Sequence, residues 1–255
     1  MKKSKLLIGL LICVTIYVLL VFIFFKNNNS SEADSLYLVL DNYGNYQYNN
    51  GEFKEIPVSK IEDDKKAFDT YIDNSYYGSY HLKYGNIWNL FDSKSEYQYY
   101  QGYLFAVSDG DKVNVNPDNA RVINEDEKNM LKNEYNITNF DNLVVQKVYD
   151  IDLDMDNKKD KLLCISNYDS DDYSNKNYNL VIAIINSKKY NIINEKGKNI
   201  NNIYDIKGIF TIDKKDRYFI IEKDENPNGD IESNKIYNYI YSVNKKGYKK
   251  MAERK

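Results

Sequence analysis

The sequence predicts a mainly β protein built from antiparallel, blade-like (β-propeller-like) repeats, with one N-terminal transmembrane helix and one or two short helices. The chain of 255 residues holds 26 Tyr and 10 Phe but only 3 Pro and 11 Gly, and aromatic side chains favour strands. Short alternating segments follow one another closely from Ser35 onward. Near the N-terminus, one apolar run is long enough to span a bilayer.

The predicted anchor is the uncharged run LLIGLLICVTIYVLLVFIFF at residues 6–25. As a helix, ~20 residues span the ~30 Å of a hydrocarbon core. Lys2, Lys3 and Lys5 precede the run, so the positive-inside rule predicts a cytoplasmic N-terminus and an extracytoplasmic C-terminal domain. A cleaved signal peptide would have a shorter apolar run and a small-residue cleavage site. Cys13 lies in mid-run, which argues against lipidation. We therefore expect an uncleaved, single-pass anchor in the cell membrane, in contact with membrane lipid.

The composition divides the chain into four parts. They are a cytoplasmic tip and transmembrane anchor at 1–26, a tether at 27–34, a first β region at 35–118, and a second β region with a short helix and an Asp-rich loop at 119–255. Whether the β regions form one domain or two stays open at this point.

Strands of the first region are predicted from alternation and turn residues. Tyr46–Ile56 reads as a hairpin around Asn49-Asn50-Gly51, a turn that needs positive φ. The other predicted strands are Ser35–Leu40, Tyr76–Tyr84, Ile87–Phe91 and Gly102–Val107.

Two segments are helix candidates. Glu125–Tyr135 is the clear one, because Asn124 is a good N-cap and three acids in the first turn suit the helix dipole. Lys60–Tyr71 is the weaker candidate.

The second region contains a repeat. Residues 147–193 align with residues 207–251. In each unit, the predicted order of elements is strand, acidic turn, strand, polar loop, strand, turn, strand. Four strands in roughly 45 residues match the size of one propeller blade or one small sheet.

The first unit carries an Asp-rich loop, DIDLDMDNKKD, at residues 150–160. Two like charges ~4 Å apart cost ~1 kcal/mol in water and ~4 kcal/mol at an effective dielectric constant of 20, so acids that curl inward need a cation. Calcium suits such a loop because it takes oxygen ligands from carboxylates and carbonyls. The alternative is a solvated loop that Lys158, Lys159 and Lys161 neutralise.

The spacing D-x-D-x-D-x-x-x-D, followed by an apolar strand, resembles the calcium loop of FG-GAP/VCBS-type, integrin-like repeats. The resemblance implies a structural Ca²⁺ held by four carboxylates and one backbone carbonyl, those of Asp152, Asp154, Asp156 and Asp160 and that of Lys158.

Two positions depart from the family pattern. The sixth position of the loop, where the family has Gly, is Asn157, the residue next best able to adopt a left-handed conformation. In the second unit Asp213 holds the first position, but Lys215 and Arg217 hold the third and fifth. The second loop is therefore expected to be metal-free.

Other features limit the function classes. The net charge is −3 with interspersed signs and no basic block, so nucleic acid is not an expected partner. His81 is the only histidine, and no Walker loop, GxSxG, HExxH or CxxC motif occurs.

Cys164 lies in an apolar strand, which predicts a small buried hydrophobic side chain. The aromatic residues around Trp88 could stack on a sugar ring, but core packing is the expected role for most of them: Tyr76, Tyr77, Tyr80, Trp88, Tyr97, Tyr99 and Tyr100.

The function expected from the sequence is a membrane-anchored, extracytoplasmic, calcium-stabilised binding or structural module of the bacterial cell envelope. Its expected partner is an envelope protein or a wall glycan, and no catalysis is expected. Two alternatives stay open. One is a cell-envelope glycan hydrolase that uses an Asp/Glu pair, and the other is an accessory subunit of a membrane complex.

Overall fold

The computed structural model describes residues 35–41, 44–63, 66–140, 143–167, 177–197, 200, 202–225 and 235–254. The predicted anchor at 6–25 and the predicted tether lie outside these residues. In the part of the chain that is described, neither helix is long and apolar enough to cross a membrane.

The described residues form seventeen strands and two short helices. The strands are β1 (Leu36–Leu40), β2 (Asn45–Asn49), β3 (Glu52–Glu55), β4 (Phe68–Ile72), β5 (Ser75–Tyr84), β6 (Trp88–Phe91), β7 (Tyr97–Gln98), β8 (Leu104–Val107), β9 (Val113–Asn116), β10 (Val145–Ile151), β11 (Asp160–Asn167), β12 (Tyr178–Ile185), β13 (Lys188–Lys196), β14 (Asn202–Ile212), β15 (Asp216–Glu225), β16 (Lys235–Asn244) and β17 (Gly247–Arg254). The helices are α1 (Val58–Glu62) and α2 (Glu125–Tyr135).

The strands pair into three antiparallel sheets. Their strand orders are β3-β2-β1-β8-β4-β5-β6-β7, β10-β11-β12-β13 and β17-β16-β15-β14-β9. The predicted mainly β, antiparallel class with two short helices is thereby confirmed. The two predicted repeat units correspond to β10–β13 and β14–β17, each a run of four consecutive paired strands. Strand β9, from the first predicted region, pairs with β14 of the second.

The five-stranded sheet lies between the other two. On β15, Phe219 and Ile221 pack against the four-stranded sheet, whereas Tyr218 and Ile220 pack against the eight-stranded sheet. Successive side chains of a strand point to opposite faces, so the apolar run at residues 218–221 is buried on both faces of the sheet. Burying each such side chain contributes ~1.5–3 kcal/mol. The central sheet therefore joins both predicted β regions through continuous cores.

The helices cover the outer faces of the stack. Ile61 of α1 is buried with residues of the eight-stranded sheet. Leu131 of α2 is buried against the four-stranded sheet. The N-cap predicted at Asn124 is confirmed and is part of a capping box, because its side chain accepts from the Glu127 N–H at 3.0 Å and Glu127 accepts from the Asn124 N–H at 2.9 Å.

The weaker helix prediction was wrong over most of its length. The helix covers only Val58–Glu62, and Phe68–Ile72 form strand β4. Phe68 and Thr70 are buried at alternate positions, and β4 pairs with β5 and β8. These long-range pairings outweigh the local helix signal. The hairpin prediction is confirmed, with Asn50 at φ 49° and Gly51 at φ 86° between β2 and β3.

Candidate metal centre

The Asp-rich loop connects two core strands, β10 and β11. Of its residues 150–160, the first two and the last belong to these strands, and residues 152–159 form the connection between them. Ile151 pairs with Asp160 at the end of the ladder, so the loop begins and ends at neighbouring positions. Leu153 is 1% exposed and lies in the core between the four- and five-stranded sheets. The loop is therefore fixed to the core at a point between its acidic residues.

The backbone of the loop curls around Asp152. Its Oδ1 accepts from the Asp156 N–H at 3.0 Å, and its Oδ2 accepts from the Asn157 N–H at 2.7 Å. Asn157 has φ 66°, so the left-handed conformation expected at the position of the family's glycine is confirmed. Met155 is also left-handed, with φ 62°. The curl turns the carboxylates of alternate residues towards one another.

Asp152, Asp154 and Asp156 come together as a result. Each of the three offers one ligand atom, and these atoms lie within 4.8 Å of one another. A cluster of this geometry could hold a metal ion. Its donors are carboxylate oxygens, which are the ligands that hard divalent cations prefer.

Of the three carboxylates, that of Asp154 has the fewest hydrogen bonds. Its side chain is only 1% exposed, and neither of its oxygens has a hydrogen-bond partner among the described residues. Burying an ionised carboxylate without hydrogen bonds is costly. A cation between the three carboxylates would remove that cost.

Asp156 lies at the more exposed side of the cluster. Its Oδ1 accepts from the Lys158 N–H at 3.0 Å, and its Oδ2 is 3.0 Å from the Lys245 ammonium. The hydrogen bond from Lys245 lowers the pKa of the Asp156 carboxyl. The same ammonium is 3.7 Å from Asp154 Oδ2, which is beyond ordinary hydrogen-bond length.

Asp160 is not brought into this group. Its Oδ2 accepts from the Leu153 N–H at 2.9 Å, and its Oδ1 accepts a long hydrogen bond from the Asn186 N–H at 3.4 Å. Burial raises the pKa of the Asp160 carboxyl. In this arrangement, Asp160 ties the loop to the β12–β13 turn. The side chain of Lys158, whose carbonyl the resemblance implies as a ligand, is 72% exposed.

Two basic residues at the site, Arg217 and Lys245, were missed as partners of this loop. Arg217 Nη1 donates to the carbonyl oxygen of Asp152, and burial lowers the pKa of its guanidinium. Lys245 reaches the loop from the β16–β17 turn. Alternate turns of antiparallel strands lie at the same end of a sheet, so packing of the two repeat units brings their turns together. Local sequence gives no signal for contacts between residues so far apart.

The lysines next to the loop do not all neutralise it. Lys161 Nζ donates to Glu127 of helix α2 at 2.7 Å. Arg121 donates to Glu127 and also, at 2.6 Å, to Asp150. The hydrogen bonds from Arg121 hold the pKa of Glu127 at about 2. Asp150 is therefore hydrogen-bonded to an arginine, whereas neither carboxylate oxygen of Asp154 has a hydrogen bond among the described residues.

In the second unit, the turn between β14 and β15 is short. Ile212 pairs with Asp216, and Asp213 and Lys214 have φ 52° and 54°. The Asp213 N–H donates to the carbonyl of Lys112 at 2.8 Å. So short a turn leaves no room for a chain to encircle an ion, which agrees with the expectation of a metal-free second loop.

The remaining candidates lie away from the loop. Cys164 is fully buried in β11, as predicted, and burial raises the pKa of its thiol. Trp88 is also buried. The expectation of core packing was wrong for four of the tyrosines, which are 42–71% exposed: Tyr76, Tyr77, Tyr97 and Tyr99.

Comparisons of this chain with protein-family models, with curated proteins and with solved structures find no match. The resemblance to the FG-GAP/VCBS-type calcium loop therefore rests on the spacing of the loop residues alone.

Proposed function

We propose that this chain is a membrane-anchored, extracytoplasmic binding or structural module of the cell envelope, with blade-like β repeats stabilised by one calcium ion. The observation that carries the proposal is Asp154, a buried carboxylate without a hydrogen bond, placed between Asp152 and Asp156 in a loop that joins two core strands.

Calcium is the cation that these donors favour. It accepts 6–8 oxygen ligands at ~2.3–2.6 Å in flexible geometry, from carboxylates, backbone carbonyls and water. The triad supplies three carboxylates, and the family resemblance implies the backbone carbonyl of Lys158 as a further ligand. Among the described residues, no histidine lies at this loop, because His81 is on β5 of the eight-stranded sheet. The role that follows is structural: the ion holds β10 and β11 together.

The blade-like description is supported by the two repeat units. Each has four consecutive antiparallel strands, with a tight turn between its third and fourth strands. The units pack face to face through a shared core. Neighbouring blades of a propeller pack in the same way.

Binding is supported by two surface features. The exposed tyrosines on β5, on β7 and just after β7 have amphipathic rings that suit contact with a protein or a sugar. A cavity of about 350 Å³, within the size range of ligand clefts, lies beside the β16–β17 turn and is lined in part by Asp216, Ser242 and Tyr248. An envelope protein or a wall glycan is the partner that such surfaces fit.

Thermal unfolding of the full-length chain in detergent, with calcium and with chelator, tests the calcium claim. Calcium at ~100-fold excess over its dissociation constant adds ~2.7 kcal/mol to the free energy of unfolding. For a domain of this size, that raises the Tm by roughly 5–10 °C. Asp154→Asn should lose this shift, because the buried ligand charge is removed.

Asp213→Asn is the matched control, since Asp213 holds the equivalent position in the short second turn, and this variant should keep the full calcium shift. Equal Tm values for the unaltered chain in chelator and in millimolar calcium would contradict the proposal and restore the solvated-loop interpretation.

A further inference from the structure

The β16–β17 turn places one lysine ammonium against the carboxylates of the candidate calcium site. Lys245 Nζ lies 3.0 Å from Asp156 Oδ2 and 3.7 Å from Asp154 Oδ2. The backbone of the turn is fixed, because the carbonyl of Lys245 accepts from the Tyr190 hydroxyl at 2.6 Å. The side chain itself is 59% exposed. It can therefore leave the site for water without moving the turn.

We propose that Lys245 is an internal competitor for calcium: its ammonium partly neutralises Asp154 and Asp156 in the metal-free protein and is displaced when the ion binds. This inference rests on the proposed calcium function and adds the residue that sets the affinity of the site.

Competition follows from the shared oxygens. Calcium coordinates carboxylate oxygens directly, at ~2.3–2.6 Å, and the ammonium already faces one oxygen of Asp154 and one of Asp156. A divalent ion and an ammonium so close together also repel each other. Both cations gain from the same negative charge, so each lowers the affinity of the other.

The geometry also shows why the ammonium can be displaced. It is close enough to Asp156 for a hydrogen bond, but its distance to Asp154 is too long for one, and both oxygens of Asp154 stay without a hydrogen bond. The flexible stem of lysine carries a point charge that is readily hydrated. A small ion inside the triad reaches the buried carboxylate that the ammonium only approaches.

Arg217 does not compete in this way. Its Nη1 donates to the carbonyl oxygen of Asp152, so it holds the backbone of the loop. Arg217 forms no hydrogen bond or ion pair with Asp154 or Asp156 among the contacts of the described residues. Lys158 Nζ lies 3.8 Å from Asp156 Oδ2, whereas Lys245 faces two of the three carboxylates of the triad, so the proposed competitor is Lys245.

The test is a calcium titration of the full-length chain in detergent, by calorimetry, for the unaltered protein and for Lys245→Met. Loss of a unit charge this close to the site should tighten calcium binding about tenfold or more. In chelator, Lys245→Met should melt below the unaltered protein, because two neighbouring carboxylates lose their counter-charge. In saturating calcium, it should melt at least as high. A purely structural role for Lys245 would lower the Tm in both conditions.

Two further variants complete the test. Lys246→Met removes a neighbouring charge on the same turn and should keep the affinity of the unaltered protein. Lys245→Arg keeps the charge and should not show the tighter binding. If the unaltered protein binds calcium and Lys245→Met binds it equally or more weakly, the competition is disproved while the calcium site stands. If neither protein binds calcium, the proposed function fails as well.

Discussion

At the scale of single residues, the five acidic residues of the Asp-rich loop, residues 150–160, differ in the hydrogen bonds and ion pairs that their carboxylates form. Asp150 is paired with Arg121, Asp152 accepts from two backbone N–H groups, and Asp160 accepts from backbone N–H groups of two different connections, the β10–β11 loop and the β12–β13 turn. Asp156 has an ammonium beside it, and Asp154 has no hydrogen bond. Spacing along the chain predicted the convergence of the three alternate acids and the left-handed Asn157. It could not separate Asp160 from them, because the N–H group of Asn186 comes from another hairpin.

Glu127→Gln tests the paired network beside the loop. The pKa of Glu127 is held at about 2 by Arg121, so its stabilising effect is complete above the unfolded pKa, about 4.5, and is lost as the pH falls towards 2. We expect the variant to lose about 2 kcal/mol at pH 7, a value reduced for solvent screening of the half-exposed Arg121. Urea unfolding at pH 7 and at pH 2.5 measures the difference.

Glu125→Gln is the control on the same helix, because Glu125 is 80% exposed and, among the described residues, forms an ion pair with Lys128. It should change stability little at either pH. A deficit for Glu127→Gln that is as large at pH 2.5 as at pH 7 would show that it does not arise from the ionised carboxylate.

At the scale of elements, local signals predicted what local interactions determine. Helix α2 begins and ends where its cap and polar pattern predict, and the Asn50-Gly51 hairpin has the expected positive φ values. Strand β4 was misjudged as helix because its conformation depends on pairing with β5 and β8. The loop is a mixed case, since its curl is local but its attachment through Leu153 is a tertiary contact.

Leu153→Ala tests that attachment. Leu153 is buried between two sheets, so removing its side chain should cost about 3 kcal/mol in the free energy of unfolding. The loosened loop should also bind calcium more weakly. Met155→Ala, in the same loop but outside the core cluster, should cost clearly less; equal losses for the two variants would argue against the anchoring role of Leu153.

At the scale of the whole molecule, three stacked sheets share two cores through the five-stranded sheet. The continuous apolar run of β15 was a sequence signal for burial on both faces. The order of strands was not predictable in the same way. Pairings such as β9 with β14 and β4 with β8 join segments separated by other elements, and a single sequence holds no direct record of them. Arg217 and Lys245 were missed at the loop for the same reason.

Protease accessibility tests the proposed topology. Protease added to intact cells or spheroplasts should digest the domain that follows the predicted tether and leave a small N-terminal fragment, because the positive-inside rule predicts a cytoplasmic N-terminus from Lys2, Lys3 and Lys5. Antibodies against each end of the chain report the fragments. Protection of the C-terminal domain would reverse the orientation, and a mature N-terminus near residue 27 would show cleavage of the predicted anchor.

The stoichiometry of calcium binding tests the central claim most directly. Equilibrium dialysis of the full-length chain in detergent against radioactive calcium should give one bound ion per chain. The double variant Asp154→Asn, Asp156→Asn should bind none, while Asp213→Asn should still bind one. Absence of bound calcium at millimolar concentration in the unaltered chain, or one bound ion in the double variant, would contradict a calcium site in the Asp-rich loop.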